Sequence, residues 1–464
     1  RVQRLEDPRL LAGQGRFIDD LNLPRMLHIA FVRSDHAHAR ILEIDSADAA
    51  AKPGVAAIFT APDIAGLWNP IRATSRMADY HATELPVLAH DKVRYVGEAV
   101  VAVVAENRYL AEDAAEQIMV SYEPLGDAID AIANAKADAP LLHDDAGTNV
   151  LAARTFHRGD VDAALAEASV RVSGNFRMHR KTPTAMENRG YVADYDPGRR
   201  ALTLHSTTQI PGIVRDALVE MLDIPGNRLR VVAPDVGGGF GGKGALYPEE
   251  VLVCIIARQL GRPVKWLSDR LEDLMTTNQA FDEHVAAELA CDGEGHILGL
   301  RAEVIGDVGA YSVYPWTAAI EPVQVVSFLP GPYRVPNYLG RVRAVATSKT
   351  PTGAYRGVGR PISTFVMERL MDMAAAKLSL DPLEMRRRNM VQADEFPYKT
   401  ASGIVWDRAG FMECLDKVAS SYESLRRDQT AARAQGRWVG IGLASYAELT
   451  GLGSRIAVAP GMPV

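Results

Sequence analysis

The sequence predicts an α+β protein in two parts: a small α+β domain over residues 1–126, then a larger mixed α/β region from about 150 onward. Three observations carry this. A β-rich run, 94–105, passes directly into a helical segment that presents Leu110, Ala111, Ala114, Ala115 and Ile118 on one face. From 150 onward, strand-like and helix-like segments succeed one another with turn signals between them. The stretch 127–149 between the two is rich in Ala and Asp and poor in large apolar residues, and reads as a linker.

In chain order, 94–105 is a strand, 108–118 a helix, and Tyr122-Glu123-Pro124 closes the first unit. The run 201–206 alternates apolar and polar residues as a half-buried strand does. Behind Pro211, residues Ile213, Val214, Ala217, Leu218, Met221 and Leu222 recur at helical spacing, with Pro suited to the first turn. Residues 228–233 form the next strand and lead into a glycine-rich loop. A helix opens at Pro248, with Glu249 and Glu250 in its first turn and Gly261 just past its end. Further strands are expected at 263–268, 284–290, 297–306 and 340–347, and a long helix at 361–378. A last strand-like run, 440–449, precedes Gly- and Pro-rich sequence ending at Val464, an odd place for a domain to finish.

Composition excludes several function classes. The 464 residues are 47% hydrophobic and 23% charged, ordinary for a globular chain with a sizeable core and unlike disordered or fibrous proteins. Formal charge is −7 with no basic block, which argues against nucleic acid or an anionic membrane surface as partner. The longest purely apolar runs, 99–105 and 251–257, fall far short of the roughly 20 residues that span a bilayer. The charged start lacks an apolar stretch, so no secretory leader is expected, and without an initiator Met the numbered start reads as trimmed. Cys254, Cys291 and Cys414 stand far apart with no CxxC, so neither a disulfide framework nor a thiolate zinc site is expected. Three cysteines are also one short of the four that an iron–sulfur cluster normally takes, so one-electron carriers would lie on a partner. The chain reads as cytoplasmic.

The loop Val236-Gly237-Gly238-Gly239-Phe240-Gly241-Gly242-Lys243 is the strongest chemical signal. A P-loop would need a hydroxyl after the lysine to reach magnesium; Gly244 stands there, and that reading fails. A dinucleotide fingerprint is literally present in Gly237, Gly239 and Gly242, but the expected acid about 20 residues on is absent, Asp269 being too far. Two readings stay open on physics alone. One is a tight strand-to-helix crossing; the other is a surface where a ligand lies directly on the main chain, which glycine density favours.

This loop resembles the pterin-binding turn of the xanthine dehydrogenase and aldehyde oxidase family of molybdenum hydroxylases. Other segments agree in order along nearly the whole chain. His205-Ser206-Thr207-Thr208-Gln209 is similar to the family's strand end whose Gln reaches the molybdenum oxo group. Ala354-Tyr355-Arg356-Gly357-Val358-Gly359-Arg360-Pro361 is similar to the loop beside the metal, and Asp307-Val308-Gly309-Ala310-Tyr311 also recurs. At the front, Arg33-Ser34-Asp35-His36-Ala37-His38-Ala39-Arg40-Ile41 and the 94–106 run resemble the family's hammerhead α+β domain.

The resemblance implies a hammerhead domain at 1–126, a linker at 127–149 and the first half of a molybdopterin-binding domain at 150–464. It implies a pterin held by hydrogen bonds, with no protein ligand on molybdenum. Gln209, Gly239, Phe240, Gly241 and Arg356 would bind the cofactor: the Phe240 and Gly241 amides and the Gln209 and Arg356 side chains as donors. Gly357, Val358 and Gly244 would border the substrate. The cofactor implied is molybdopterin, as the cytosine dinucleotide, with FAD on a medium subunit and a 2Fe–2S cluster on a small subunit. The assembly implied is a dimer of heteromers. The reaction implied is hydroxylation of an electron-poor carbon, in an N-heterocycle or aldehyde, with water as oxygen source.

Three departures narrow this. The family's catalytic Glu lies in a later half, so no Glu here is nominated as base, and the chain reads as a fragment, an ordered portion, or one half of a split subunit with a second chain. The copper-binding Cys of carbon monoxide dehydrogenases is replaced by Gly357, which removes the soft ligand. Gly244 and Val358 replace the Glu and the aromatic that purine-oxidising members carry, which disfavours xanthine. Two rivals remain: a nicotinamide-dependent dehydrogenase using the GxGxxG turn, and a non-catalytic assembly subunit of the same fold. His36 and His38 read as a packed turn, Glu187, Glu249 and Glu250 as solvated or helix-start carboxylates, and Cys254 as core.

Overall fold

A computed structural model describes residues 2–126 and 128–448. The first part supplies β1 (Leu27–Arg33), β2 (Ala39–Asp45), β3 (Val55–Phe59), β4 (Lys92–Val93), β5 (Ala99–Ala105), α1 (Arg108–Ala115) and β6 (Met119–Pro124). Next come β7 (Val150–Arg158), β8 (Val170–Met178), β9 (Gly190–Asp196), β10 (Ala201–Ser206), α2 (Pro211–Leu222), β11 (Leu229–Val232), α3 (Pro248–Leu260) and β12 (Val264–Leu267). The last are β13 (Glu283–Cys291), β14 (Ile297–Gly309), α4 (Ile320–Phe328), β15 (Asn337–Ala346), α5 (Arg360–Leu378) and α6 (Phe411–Ala434).

The strands build a seven-stranded sheet in the order β11-β10-β9-β12-β1-β5-β3 and a five-stranded sheet in the order β7-β15-β14-β13-β8. A smaller one runs β4-β2-β6. The seven-stranded sheet crosses the linker: β1 pairs in parallel with β12, Leu27 opposite Val264, so the front of the chain is hydrogen-bonded into the later region. Trp266 seals this seam, stacked on Tyr191 at 5.3 Å and edge-on to Phe31 at 5.7 Å.

Local chemistry explains the elements that hold. Every residue of β5 is buried, as its continuous run of Ala and Val requires for a strand covered on both faces. The Asn107 side chain caps α1 by accepting from the Leu110 amide at 3.0 Å. Helix α3 stops at Gly261, whose φ of 58° is the left-handed cap. Cys254 is a fully buried core residue of α3. His38 is buried and bonded to the Gly126 carbonyl, while His36 stacks on Tyr122, and the described residues hold no group of three potential metal ligands.

Three expectations need correction. The strand expected at 94–105 begins only at Ala99, because Gly97, with φ of 103°, turns the chain first. Residues 440–448 form no strand; Leu449 lies outside the described residues. Their main chain is taken up by side chains instead: Ser445 N–H donates to Glu368 Oε2 at 2.9 Å, and the Leu443 carbonyl accepts from Arg386 at 2.7 Å. Glu249 and Glu250 do start α3, but they are 3% and 1% exposed rather than solvated.

Buried carboxyls give the fold a pH signature. Glu98, just before β5, accepts from Tyr311 Oη at 2.6 Å, and burial pushes its carboxyl from 4.5 up to about 7. Folded protein therefore holds a proton between these values that unfolded chain releases. The stability from this group is complete below pH 4.5 and is lost as pH rises through about 7. Glu98→Gln, which mimics the protonated form, is expected to lie close to the parent at pH 5 and to gain on it by a few kcal/mol, order of magnitude, at pH 8. Urea unfolding of both proteins at the two pH values checks this; equal differences at both would refute it.

Candidate functional site

The candidate site begins with sheet topology. Strands β10 and β11 are parallel, Leu202 opposite Leu229, so their carboxyl ends open on the same edge. In α/β sheets such an edge is where ligands bind. Gln209 follows β10 and the glycine loop follows β11, and the Gln209 N–H ties the two by donating to the Lys243 carbonyl at 2.8 Å.

The glycine loop curls rather than opening a helix. Gly238, Phe240 and Gly241 all have positive φ, 98°, 52° and 99°, and α3 starts only at Pro248. With no helix N-terminus at the turn, the pyrophosphate site of a dinucleotide fold is missing, which removes the geometric basis of the nicotinamide rival. Gly241 N–H donates to Gln209 Oε1 at 2.9 Å, so this amide is turned toward a side chain, and the Gln209 Nε2 donor is left as the free end of that amide among the described residues. Phe240 is about half exposed (48%). A Cβ on Gly239 would lie 2.6 Å from Gln209 Cδ, so only glycine lets the side chain cross the loop.

The third segment, 354–360, arrives from the other sheet. Arg356 N–H donates to the Phe240 carbonyl at 2.9 Å, and a Cβ on Gly241 would meet Ala354 C at 2.8 Å and Tyr355 Cα at 3.0 Å. The Arg356 side chain is exposed. Val358, at φ 43°, donates to the Tyr355 carbonyl at 2.7 Å, and Gly357 turns at φ 99°. Gly244 is buried at the loop's end, its carbonyl accepting from the Trp316 indole. Gln209, Gly239, Phe240, Gly241 and the main chain of Arg356 thus come together at one place. Gly357 and Val358 lie one or two residues beyond its Arg356 edge, and Gly244 beneath.

Sequence reasoning missed what holds the loop. Glu187 is no solvated carboxylate: its Oε2 accepts from Gly237 N–H at 2.7 Å and from Lys243 Nζ at 3.0 Å. Burial pulls the Lys243 amine below its ordinary range, against the pull of Glu187. Beneath them, Tyr247 Oη donates to the Gly242 carbonyl while accepting from Asn278 N–H at 3.1 Å. Burial pushes Glu250 up to about 7, and it accepts from Ser206 Oγ at 2.6 Å, just upstream of Gln209. Glu187→Ala would strand a buried ammonium and free the Gly237 amide, and is expected to cost about 2–4 kcal/mol. Glu187→Gln keeps an acceptor and is expected to cost less than half of that; thermal melts of the two variants check the order.

The residues suit a large, oxygen-rich cofactor held by the main chain. A surface of glycines admits a ligand close to the backbone, and the Phe240 amide and the Gln209 Nε2 are donors of the kind that anionic and carbonyl oxygens accept, with Arg356 bonded to Phe240 through its main chain.

Comparisons with known proteins agree. The model of the molybdopterin cofactor-binding domain matches residues 142–390, and that of the aldehyde oxidase and xanthine dehydrogenase a/b hammerhead domain matches 12–126. The nicotine 6-hydroxylase large subunit of Paenarthrobacter nicotinovorans is 37% identical over 97% of this chain and 55% of its own length. The nicotinate dehydrogenase large molybdopterin subunit of Eubacterium barkeri is 30% identical over 88% of this chain and 92% of its own length. The crystal structure of quinoline 2-oxidoreductase from Pseudomonas putida 86 superposes with a TM-score of 0.95 at 40% identity, covering 98% of this chain and 58% of that one. The chain therefore spans little more than half of the first relative and of that structure. A cofactor-domain match over more than half of the chain, preceded by the hammerhead match, shows that it belongs to the molybdopterin-binding subunits of the aldehyde oxidase and xanthine dehydrogenase family.

Proposed function

We propose that this chain forms the first part of the cofactor subunit of a molybdenum hydroxylase that hydroxylates an electron-poor ring carbon of an N-heterocycle, with water as oxygen source. The observation that carries the proposal is the convergence of Gln209, the Gly239-Phe240-Gly241 turn and the main chain of Arg356 at one place. When bound, the molybdenum cofactor supplies the oxygen-transfer and two-electron chemistry. The chain's own residues bind and orient it: the Phe240 amide, the Gln209 Nε2 and the Arg356 fork donate to its oxygens, while Gly241 N–H fixes the Gln209 amide in one orientation. Gly357 and Val358, with Gly244 beneath, border the substrate. Relatives named for nicotine, nicotinate and quinoline favour the heterocycle over an aldehyde. A thiolate at position 357 is disfavoured further by backbone: φ is 99° and a Cβ would lie 2.7 Å from Pro361 Cδ.

The proposal includes the division at 1–126, 127–149 and 150–464, electron transfer to 2Fe–2S and FAD subunits, a dimer of such heteromers, and a cytoplasmic location. Among the described residues no helix is long and apolar enough to cross a membrane. The remainder of the cofactor domain comes from the same polypeptide or from a companion chain.

Native mass spectrometry of the complex from its own host, with molybdenum analysis and turnover in oxygen-18 water, tests this. Molybdenum, flavin and iron–sulfur partners together with labelled hydroxyheterocycle are expected. A metal-free complex from cells that make the cofactor would favour the non-catalytic assembly subunit.

A further inference from the structure

Behind the 354–360 loop, two carboxyls are buried, each with an oxygen that no hydrogen bond reaches. Glu321, in the first turn of α4, and Glu283, the first residue of β13, are both 2% exposed. Glu321 Oε2 accepts from Phe281 N–H at 2.6 Å, and a Cβ on Gly359 would stand 2.6 Å from the Glu321 main-chain oxygen. Glu321 Oε1 and Glu283 Oε2 have no partner. A Cβ on Gly306 would stand 2.7 Å from Glu283 Oε2 and 2.4 Å from Pro322 Cγ, so Glu283 lies near the residue that follows Glu321.

The main chain meeting at this point is strained from both directions. Phe281 and Asp282 hold φ of 66° and 70°, and Val358 holds 43°, all outside the range that side chains favour. Each persists only where the surroundings enforce it. The Phe281 ring also lies edge-on to Tyr355 at 5.5 Å, so the two strained segments are packed on each other. Phe281 N–H is the backbone group that the Glu321 carboxyl serves, and Gly359 lies against the main chain of Glu321.

We propose that Glu321 is a positioning residue: its carboxyl pins Phe281, which packs on Tyr355, and through it the loop that carries Arg356. Burial and the charges of Glu321, Asp282 and Asp307 push the Glu283 carboxyl well above its ordinary range, and burial pushes Glu321 up to about 7. The tethering of the loop is a property of this chain; only its use, to hold Arg356 against the cofactor, rests on the proposed function.

Hydrogen exchange by mass spectrometry on the wild-type chain, Glu321→Leu and Glu321→Gln tests it. Glu321→Leu is expected to raise exchange at 354–360 and 279–282 about tenfold, with β7 and β15 unchanged. Glu321→Gln keeps an acceptor for Phe281 and is expected to raise it only about twofold. In the assembled enzyme, Leu would lower kcat with Gln restoring most of it. A uniform rise across all peptides, or no rise at 354–360, would overturn the proposal. If Leu does not fold, the Gln variant decides, since a purely structural carboxyl predicts no local rise there. A wild-type complex without molybdenum would sink the proposed function and leave the exchange result standing.

Discussion

Replacing Gly241 with Ala is expected to cut the molybdenum content of the purified complex more than tenfold and to lower its melting temperature by a few degrees. The reason is local and steric. Gly241 sits at φ 99°, which an L side chain rarely adopts, and its Cβ would press on main-chain atoms, 2.8 Å from Ala354 C and 3.0 Å from Tyr355 Cα. Backbone cannot swing aside as a long side chain can. The two loops must separate, and the bond from Arg356 N–H to the Phe240 carbonyl goes with them. Strain of this kind costs about 1–3 kcal/mol, and a displacement of about 1 Å is enough to misdirect donors at a site. Gly261→Ala is the control. It has the same left-handed problem, at φ 58°, but nothing lies within 4 Å of its Cβ. It should lower stability by about 1 kcal/mol and leave the metal in place. Equal molybdenum in the two variants would show that the Gly241 contact does not shape the site.

What the sequence disclosed about this site follows from range. Gln209, the glycine turn and Arg356 are singled out by the resemblance of the short runs around them, each local in sequence. The contacts between those runs, and what braces them, leave no such local sign. Glu187 lies 50 residues before its partner Gly237, and nothing near it in sequence distinguishes it from a surface acid. Glu249 and Glu250 look like ordinary first-turn carboxylates, and their place in α3 was legible. Their burial was not, because Arg33, Arg189 and Ser206 reach them from other strands and loops. The run at 440–448 failed for a related reason. Period and composition fit a strand, but a strand needs a free edge beside it, and here Glu368 and Arg386 take the main-chain groups first. The continuity of the seven-stranded sheet through β1 and β12 was likewise hidden, since pairing between distant strands leaves no local mark.

The largest stability effect is expected from Arg189. Its guanidinium is 1% exposed and is bound on every side: Nε to Thr277 Oγ1 at 2.9 Å, Nη2 to Thr276 Oγ1 at 2.5 Å and Nη1 to Glu249 Oε2 at 3.2 Å. Asp273 is 3.7 Å away, and the carbon of the guanidinium stands 3.9 Å from the centre of the Tyr247 ring. Glu249 is shared, its other oxygen accepting from Arg33 of β1 at 2.8 Å, while Arg33 also bonds Glu272 at 2.6 Å. One buried network therefore joins the front of the chain to the ground beneath the glycine loop. Burial opposes the Arg189 charge, but Glu249, Tyr191, Tyr247 and Asp273 outweigh it and hold the group well above its ordinary range. Arg189→Met leaves Glu249 and Asp273 buried with less opposing charge, and is expected to cost about 3–5 kcal/mol. Arg189→Lys should recover little, because a point charge cannot serve two hydroxyls and a carboxylate set around a planar fork. The loop should feel the loss as well: Tyr247, deprived of its stacked cation, is the side chain that holds the Gly242 carbonyl. Denaturant unfolding of the three proteins, read beside their molybdenum content, separates the two effects. A loss below about 1 kcal/mol in Arg189→Met would mean that water or a neighbouring cation replaces the guanidinium, and that the network is not what binds the front of the chain to the floor of the site.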